Sequence, residues 1–181
     1  MEQQGDKQLV AESTPMIRRL LPEDAELLFA LRRESLVAEP FAFLSSPEDD
    51  AVSSAEAVRE RLEQSEARAP IFGAFVGEQL VGMAGLSQDR PVKAAHRACI
   101  WGVYVAPDFR RRGVAKRLLH AAVGHAREMP GVLTVYLSVS ERHPEAKSLY
   151  ESLGFVVWGL EPDCIRIAGE SAREYHLSLS L

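Results

Sequence analysis

The segment that most restricts what this chain can become is Val103-Tyr104-Val105-Ala106-Pro107-Asp108-Phe109-Arg110-Arg111-Arg112-Gly113-Val114-Ala115. A strand runs out into a turn, and the turn opens straight into a helix predicted over about Arg112 to Glu128. Ala115, Leu118, Leu119, Ala122 and Ala126 give that helix one apolar face. A helix start exposes unpaired backbone N–H groups and the positive end of the helix dipole. Gly113 and the small Ala115 keep side-chain bulk away from those amides, so an anion such as a pyrophosphate can approach the backbone. Arg110, Arg111 and Arg112 add positive charge at the same place. Each well-formed charged hydrogen bond there contributes about 1.5–3 kcal/mol. No Gly-Lys-Ser/Thr follows, so this is not a P-loop, and the glycine spacing is wrong for a dinucleotide fingerprint. A solvated basic turn ahead of a helix is the other reading of this stretch taken alone.

A second compact segment runs from Val139 to Phe155. Pro144 suits the first position of a short helix that extends to Leu153, with His143 just outside it. Gly154 suits the left-handed position past the end. Ala146, Leu149, Tyr150 and Leu153 share a face, which turns Tyr150 towards a sheet and leaves its hydroxyl in need of a polar partner or a ligand. For Tyr150 by itself, a core tyrosine with a satisfied hydroxyl is the plainer reading.

The rest of the chain supplies the frame. Strands are predicted over Met16–Leu21, Ile71–Val76, Leu80–Leu86, Ala98–Val105, Val132–Val139, Phe155–Trp158 and Glu174–Leu181. Gly77-Glu78-Gln79 reads as a hairpin turn, and Gly102 marks a bulge or a close backbone approach. Helices are predicted over Ala25–Leu36, after Pro22 and Asp24, and from Ser53 or Ser54 to about Glu66. The order is that of an α/β (or α+β) fold around one central sheet. Residues 1–14 read as a flexible polar tail and 15–181 as a single domain, which suits a length of 181 residues.

Composition narrows the function. Hydrophobic residues at 46% and charged residues at 26% fit a soluble globular protein. No apolar run nears the roughly 20 residues that span a bilayer, and the polar start argues against a secretory signal. Cys99 and Cys164 lack metal-site or disulfide spacing, so a reducing cytoplasm and no metal are expected. A net charge of −5 removes the broad basic field of non-specific nucleic-acid binding. No nucleic-acid or membrane partner is expected.

Together the two segments resemble the GNAT-type N-acetyltransferase superfamily. Its phosphate signature is Gln or Arg, two residues, Gly, one residue, then Gly or Ala; here it reads Arg110-Arg111-Arg112-Gly113-Val114-Ala115. Its later signature, Asn-x-x-Ala-x-x-Leu-Tyr-x-x-x-Gly-Phe, is matched at Ala146, Leu149, Tyr150, Gly154 and Phe155, with His143 in place of the Asn. The resemblance implies a mixed, mostly antiparallel sheet in which two parallel strands, Ala98–Val105 and Val132–Val139, splay apart and hold acetyl-CoA. It implies that the backbone of Val103, Tyr104 and Val105 pairs with the pantetheine arm. The pyrophosphate would lie on the amides of Arg111, Arg112, Gly113, Val114, Ala115 and Lys116, with Arg110, His143 and Ala146 also at the coenzyme. The thioester would sit beside the Gly102 bulge, where a backbone N–H stabilises the developing oxyanion.

The implied reaction is direct transfer to an amine through a tetrahedral intermediate. Tyr150 matches the family tyrosine that protonates the leaving sulfur, whose thiol has an ordinary pKa of about 8.5. Many protein N-terminal acetyltransferases of this type carry a carboxylate on the later splayed strand; Ser138 stands there, which counts against that acceptor. His96, Glu141, Tyr104 and a water chain are candidates for a base. His120, His125 and His176 read as surface or packing residues, Cys99 as a buried small hydrophobe, and Trp101 and Trp158 as core or pocket wall. Phe41, Phe43 and Leu44 are candidates for the acceptor pocket. The acidic chain suits a cationic amine on a small molecule or a protein. A non-catalytic acyl-CoA-binding module and transfer of a longer acyl group are the competing readings. The terminal apolar strand either completes the sheet or pairs with a second subunit in a homodimer.

Overall fold

The computed structural model describes residues 14–65 and 67–181; the tail expected over 1–14 falls outside them except for its last residue. Seven strands form one sheet in the order β1-β2-β3-β4-β5-β7-β6. They are β1 (Met16–Arg19), β2 (Ile71–Val76), β3 (Gln79–Gln88), β4 (Arg97–Val105), β5 (Thr134–Ser140), β6 (Val156–Ile167) and β7 (Glu170–Ser180). Neighbours are antiparallel except β4 and β5. Four α-helices are described: α1 (Ala25–Ala38), α2 (Ala55–Glu63), α3 (Val114–Glu128) and α4 (Pro144–Ser152). None of the described helices is long and apolar enough to cross a membrane.

The local chemistry explains these elements. Ser54 caps α2 by accepting from the Ala57 amide at 3.1 Å. Arg18 grips the Asp24 carboxylate with two hydrogen bonds of 2.6 and 2.7 Å, and the Leu21 amide donates to the same carboxylate at 2.8 Å. That knot ties β1 to the short turn that opens α1, and the hydrogen bonds from Arg18 lead in holding the Asp24 carboxyl below its usual range.

β2 is buried throughout, because both faces of the sheet are covered there. Phe72, Ala74 and Val76 join a core with Leu118, Leu119 and Ala122 of α3. Ile71 and Phe75 join a second core with Leu28 and Leu31 of α1 and Val58 and Leu62 of α2. The second core reaches Tyr104 on β4 and includes no residue of β5, β6 or β7.

Gly102 reverses the alternation of β4. Ala98 and Ile100 face the α3 core before it, and Val103 and Val105 face that core after it. The ladder to β3 slips at this place, and Gly102 sits at φ +64°. The sequence-based reading of a bulge there holds.

Two expectations need adjustment. The final strand pairs with β5 on one side and β6 on the other, so it lies inside the sheet and β6 forms the edge. β6 is also longer than Phe155–Trp158. It continues past Pro162 through register shifts and a left-handed Asp163 at φ 55°, which break the alternation that marks a strand in sequence.

Candidate active site

β4 and β5 pair only through Arg97–Thr134, Ala98–Val135 and Cys99–Tyr136. Beyond Cys99 the strands part. The edge of β4 that faces β5 therefore has no strand partner from Ile100 to Val105. A cleft of about 850 Å³ opens between them, within the range of about 300–1,000 Å³ that small-molecule sites occupy.

The cleft gathers nearly all the residues predicted for the coenzyme. Val103, Tyr104, Val105, Arg110, Arg111, Gly113, Val114, Ala115, Lys116, His143 and Ala146 line it, and so does Tyr150. Arg112 is not among the lining residues; its guanidinium stands 5.6 Å from the Phe109 ring. Arg110 is held at the rim, donating through Nε to the Val105 carbonyl at 2.8 Å and pairing with Glu39 at 2.8 Å. Glu39 was not foreseen as a site residue. Its second carboxylate oxygen lies 4.0 Å from His143 Nδ1, so one acid links both sides of the cleft mouth.

The turn before α3 has the geometry of an anion cradle. Arg111 and Gly113 are both left-handed, at φ 61° and 76°. A left-handed arginine costs about 1–3 kcal/mol, so the surrounding turn must enforce it. Among the described residues no backbone carbonyl accepts from the amides of Arg111, Gly113, Val114, Ala115 or Lys116; the first amide so used is Arg117, which donates to Gly113. Space next to Gly113 is open, with nothing within 4 Å of where a Cβ would stand.

Tyr150 is 6% exposed and packs edge-on against Phe155 at 6.2 Å. Its hydroxyl has no hydrogen-bond partner among the described residues. Burial pushes its pKa up to about 12, so at neutral pH it is a proton donor and not a base. His143 Nε2 is likewise buried without a partner. Both groups line the same cleft.

Of the proposed bases only Tyr104 lines the cleft, and its hydroxyl is already engaged. His96 is exposed, and its carbonyl accepts from Leu133 and Thr134 at the paired end of β4 and β5. Glu141 is bound to Arg173 at 2.9 Å through both its side chain and its amide, and these hydrogen bonds hold its carboxyl below the usual range. The Tyr104 hydroxyl donates to Glu34 at 2.9 Å, and burial leads in pushing it up to about 12.

Other residues fall as follows. Phe43 lines the cleft; Leu44 is 72% exposed and does not, and Phe41 carries the Arg142 guanidinium at 4.0 Å. Trp101 lines the cleft, whereas Trp158 is 65% exposed and stacks on His176 at 5.3 Å. The expectation of a core or pocket role for Trp158 fails because the second core ends before β6. Cys99 lies at the paired end, and burial pushes its thiol up to about 11. His125 Nε2 donates to the Ala67 carbonyl at 2.7 Å, and His120 is exposed.

The model of the acetyltransferase (GNAT) family matches residues 29–155. The ribosomal protein bS18-alanine N-acetyltransferase of Salmonella typhimurium is 34% identical over 85 residues, which cover 44% of this chain and 57% of that protein. The chain thus spans little more than half the length of that curated relative. The structure of a GNAT-family acetyltransferase from Streptococcus pneumoniae superimposes with a TM-score of 0.84 at 22% identity, covering 93% of this chain and all of that one. A GNAT superfamily phosphinothricin acetyltransferase from Sinorhizobium meliloti, in complex with acetyl-CoA, gives a TM-score of 0.79 at 20% identity, covering 93% of this chain and 89% of that one. With the splayed strands, the amide-lined turn and a family model matching most of its length, this chain belongs to the GNAT acetyltransferase family.

Proposed function

We propose that this protein transfers the acetyl group of acetyl-CoA to a primary amine. The observation that carries this reading is the parting of β4 from β5 beside the amides of Arg111, Gly113, Val114, Ala115 and Lys116, from which no backbone carbonyl accepts among the described residues. An extended pantetheine arm finds an unpaired strand edge at Val103–Val105, and a pyrophosphate finds the amides from Arg111 to Lys116. His143 and Ala146 close the other side of the cleft, where the unpartnered His143 Nε2 offers a polar contact. Acetyl-CoA is bound in the Sinorhizobium meliloti structure, which supports the same substrate here.

The chemistry assigned to Tyr150 follows from its protonation state. The amine lone pair forms a C–N bond to the thioester carbonyl carbon, and the carbonyl electrons move onto oxygen near the Gly102 bulge. Collapse restores the carbonyl and breaks the C–S bond. Tyr150 gives its proton to the departing sulfur, and the amine nitrogen loses one to solvent. No base is needed when the amine arrives neutral.

Relatives differ in acceptor: one is named for an alanine of ribosomal protein bS18 and another for phosphinothricin. Acceptor identity therefore does not transfer from them. The test is calorimetry with acetyl-CoA, followed by thiol release with a panel of amines. Binding with turnover supports the proposal; binding without turnover on any amine supports an acyl-CoA-binding module instead.

A further inference from the structure

Beside the coenzyme cleft lies a second cavity of about 190 Å³, and the two share Trp101 and Gly102. Arg32 of α1 and Asp50 form its charged floor. The guanidinium binds the carboxylate through Nε at 3.1 Å and Nη2 at 2.8 Å, with side-chain exposures of 14% and 9%. Arg32 Nη1 is left without a hydrogen-bond partner among the described residues. It stands 4.0 Å from where a side chain at Gly102 would begin.

Arg61, on the exposed side of α2, lays its guanidinium over the Trp101 ring at 4.5 Å. Trp101 in turn lies flat on Gly85, where even a methyl group would overlap the indole. Arg61 has no carboxylate within ion-pair distance among the described residues. Lost hydration lowers its pKa; Asp50 opposes this and Arg32 adds to it. The charged residues lining the cavity are Arg32, Asp50 and Arg61. Asp50 offsets one arginine and leaves one positive charge over. A cavity lining with one more arginine than carboxylate attracts an anion, the more so where the cavity walls exclude part of the water.

We propose that this cavity receives an anionic group of the acceptor, so that the acceptor is a small amine of the α-amino-acid class, with a carboxylate close to its amino nitrogen. The inference rests on the acetyltransferase reading, which places the thioester at Gly102. Arg32 Nη1 beside Gly102 sets a short span between the bound anion and the attacked carbonyl, as an α-amino acid requires. The cavity is smaller than the roughly 300 Å³ at which drug-sized sites begin, so it holds a small headgroup and not a length of peptide. The chain's net charge of −5 argues for a cation, but fields from distant surface charges are screened within about 8–10 Å. The local arginines decide, and they repel a polyamine.

The test uses the full chain with acetyl-CoA and three matched sets of acceptors: the common L-amino acids, their amides and their decarboxylated amines, with spermidine and an N-terminal peptide as references. At least one amino acid is expected to turn over with kcat/KM about 100-fold or more above that of its amide. Arg61→Gln is expected to raise the KM for that amino acid about tenfold or more with kcat held within about threefold. Its calorimetric affinity for acetyl-CoA stays the same. Arg32→Gln strands the Asp50 charge and risks unfolding, so the double variant Arg32→Gln/Asp50→Asn serves instead and loses the same discrimination. Preference for the amides, the decarboxylated amines, spermidine or the peptide overturns the proposal, as does turnover of no carboxylate-bearing amine. Failure to bind acetyl-CoA at all strikes the acetyltransferase reading itself, so the two failures are told apart by calorimetry.

Discussion

The two ends of the β4–β5 pair hold their tyrosine hydroxyls in opposite ways. At the paired end, the Tyr136 hydroxyl donates to Asp89 at 2.8 Å and Arg97 binds the same carboxylate at 2.6 Å. At the splayed end, the Tyr150 hydroxyl, His143 Nε2 and the amides of Arg111, Gly113, Val114, Ala115 and Lys116 have no protein partner among the described residues. Buried polar groups are normally satisfied within the fold. Several unsatisfied groups meet in the one cleft at the splayed end, which suits a ligand, whereas the orphan at the paired end, Gln88 Oε1, stands apart from that cleft.

The contrast can be broken by substitution at either end. Tyr150→Phe removes the only proton donor assigned to the leaving sulfur, and turnover should fall about 100-fold or more with coenzyme affinity near normal. Unchanged turnover takes Tyr150 out of the reaction. Gly113→Val forces a β-branched residue into φ 76° and fills the open space at the amide cradle. Calorimetry should show acetyl-CoA affinity reduced about tenfold or more; intact affinity would move the phosphate site elsewhere.

At the paired end the effects should be smaller and of another kind. Tyr136→Phe should cost about 1 kcal/mol in denaturant unfolding and leave kcat alone. A loss of turnover there would erase the distinction between the ends. Cys99→Ala should change turnover least. Because burial raises the Cys99 thiol to about 11, it is protonated at neutral pH, and its thiolate grows about tenfold per pH unit only as pH climbs towards that value. Alkylation followed by mass spectrometry should track that rise. Fast labelling at pH 7 would show the thiol to be activated.

Much of this was legible in the chain because it is local. The turn from Arg110 to Ala115 and the helix from Pro144 carry their own signals in proline, glycine and apolar spacing. Gly102 was readable as a lone glycine in a strand. The acceptor-side cavity was not read, because Arg32, Asp50 and Arg61 come from three separate segments and meet only in the folded chain. One signal was present: Arg32 sits one turn after Leu28 and one turn before Leu36, on the stripe that should be apolar. Trp158 misled because a large aromatic suggests burial, yet no helix core covers β6 on that face.

The brevity of the β4–β5 ladder has a mechanical consequence. With only the rungs from residues 97–99 to 134–136 joining them, the two panels of the sheet meet along a short seam. Amide exchange should be fastest where that seam ends. A thioester nucleotide lodged between the panels acts as their missing stitch, so occupancy and rigidity rise together.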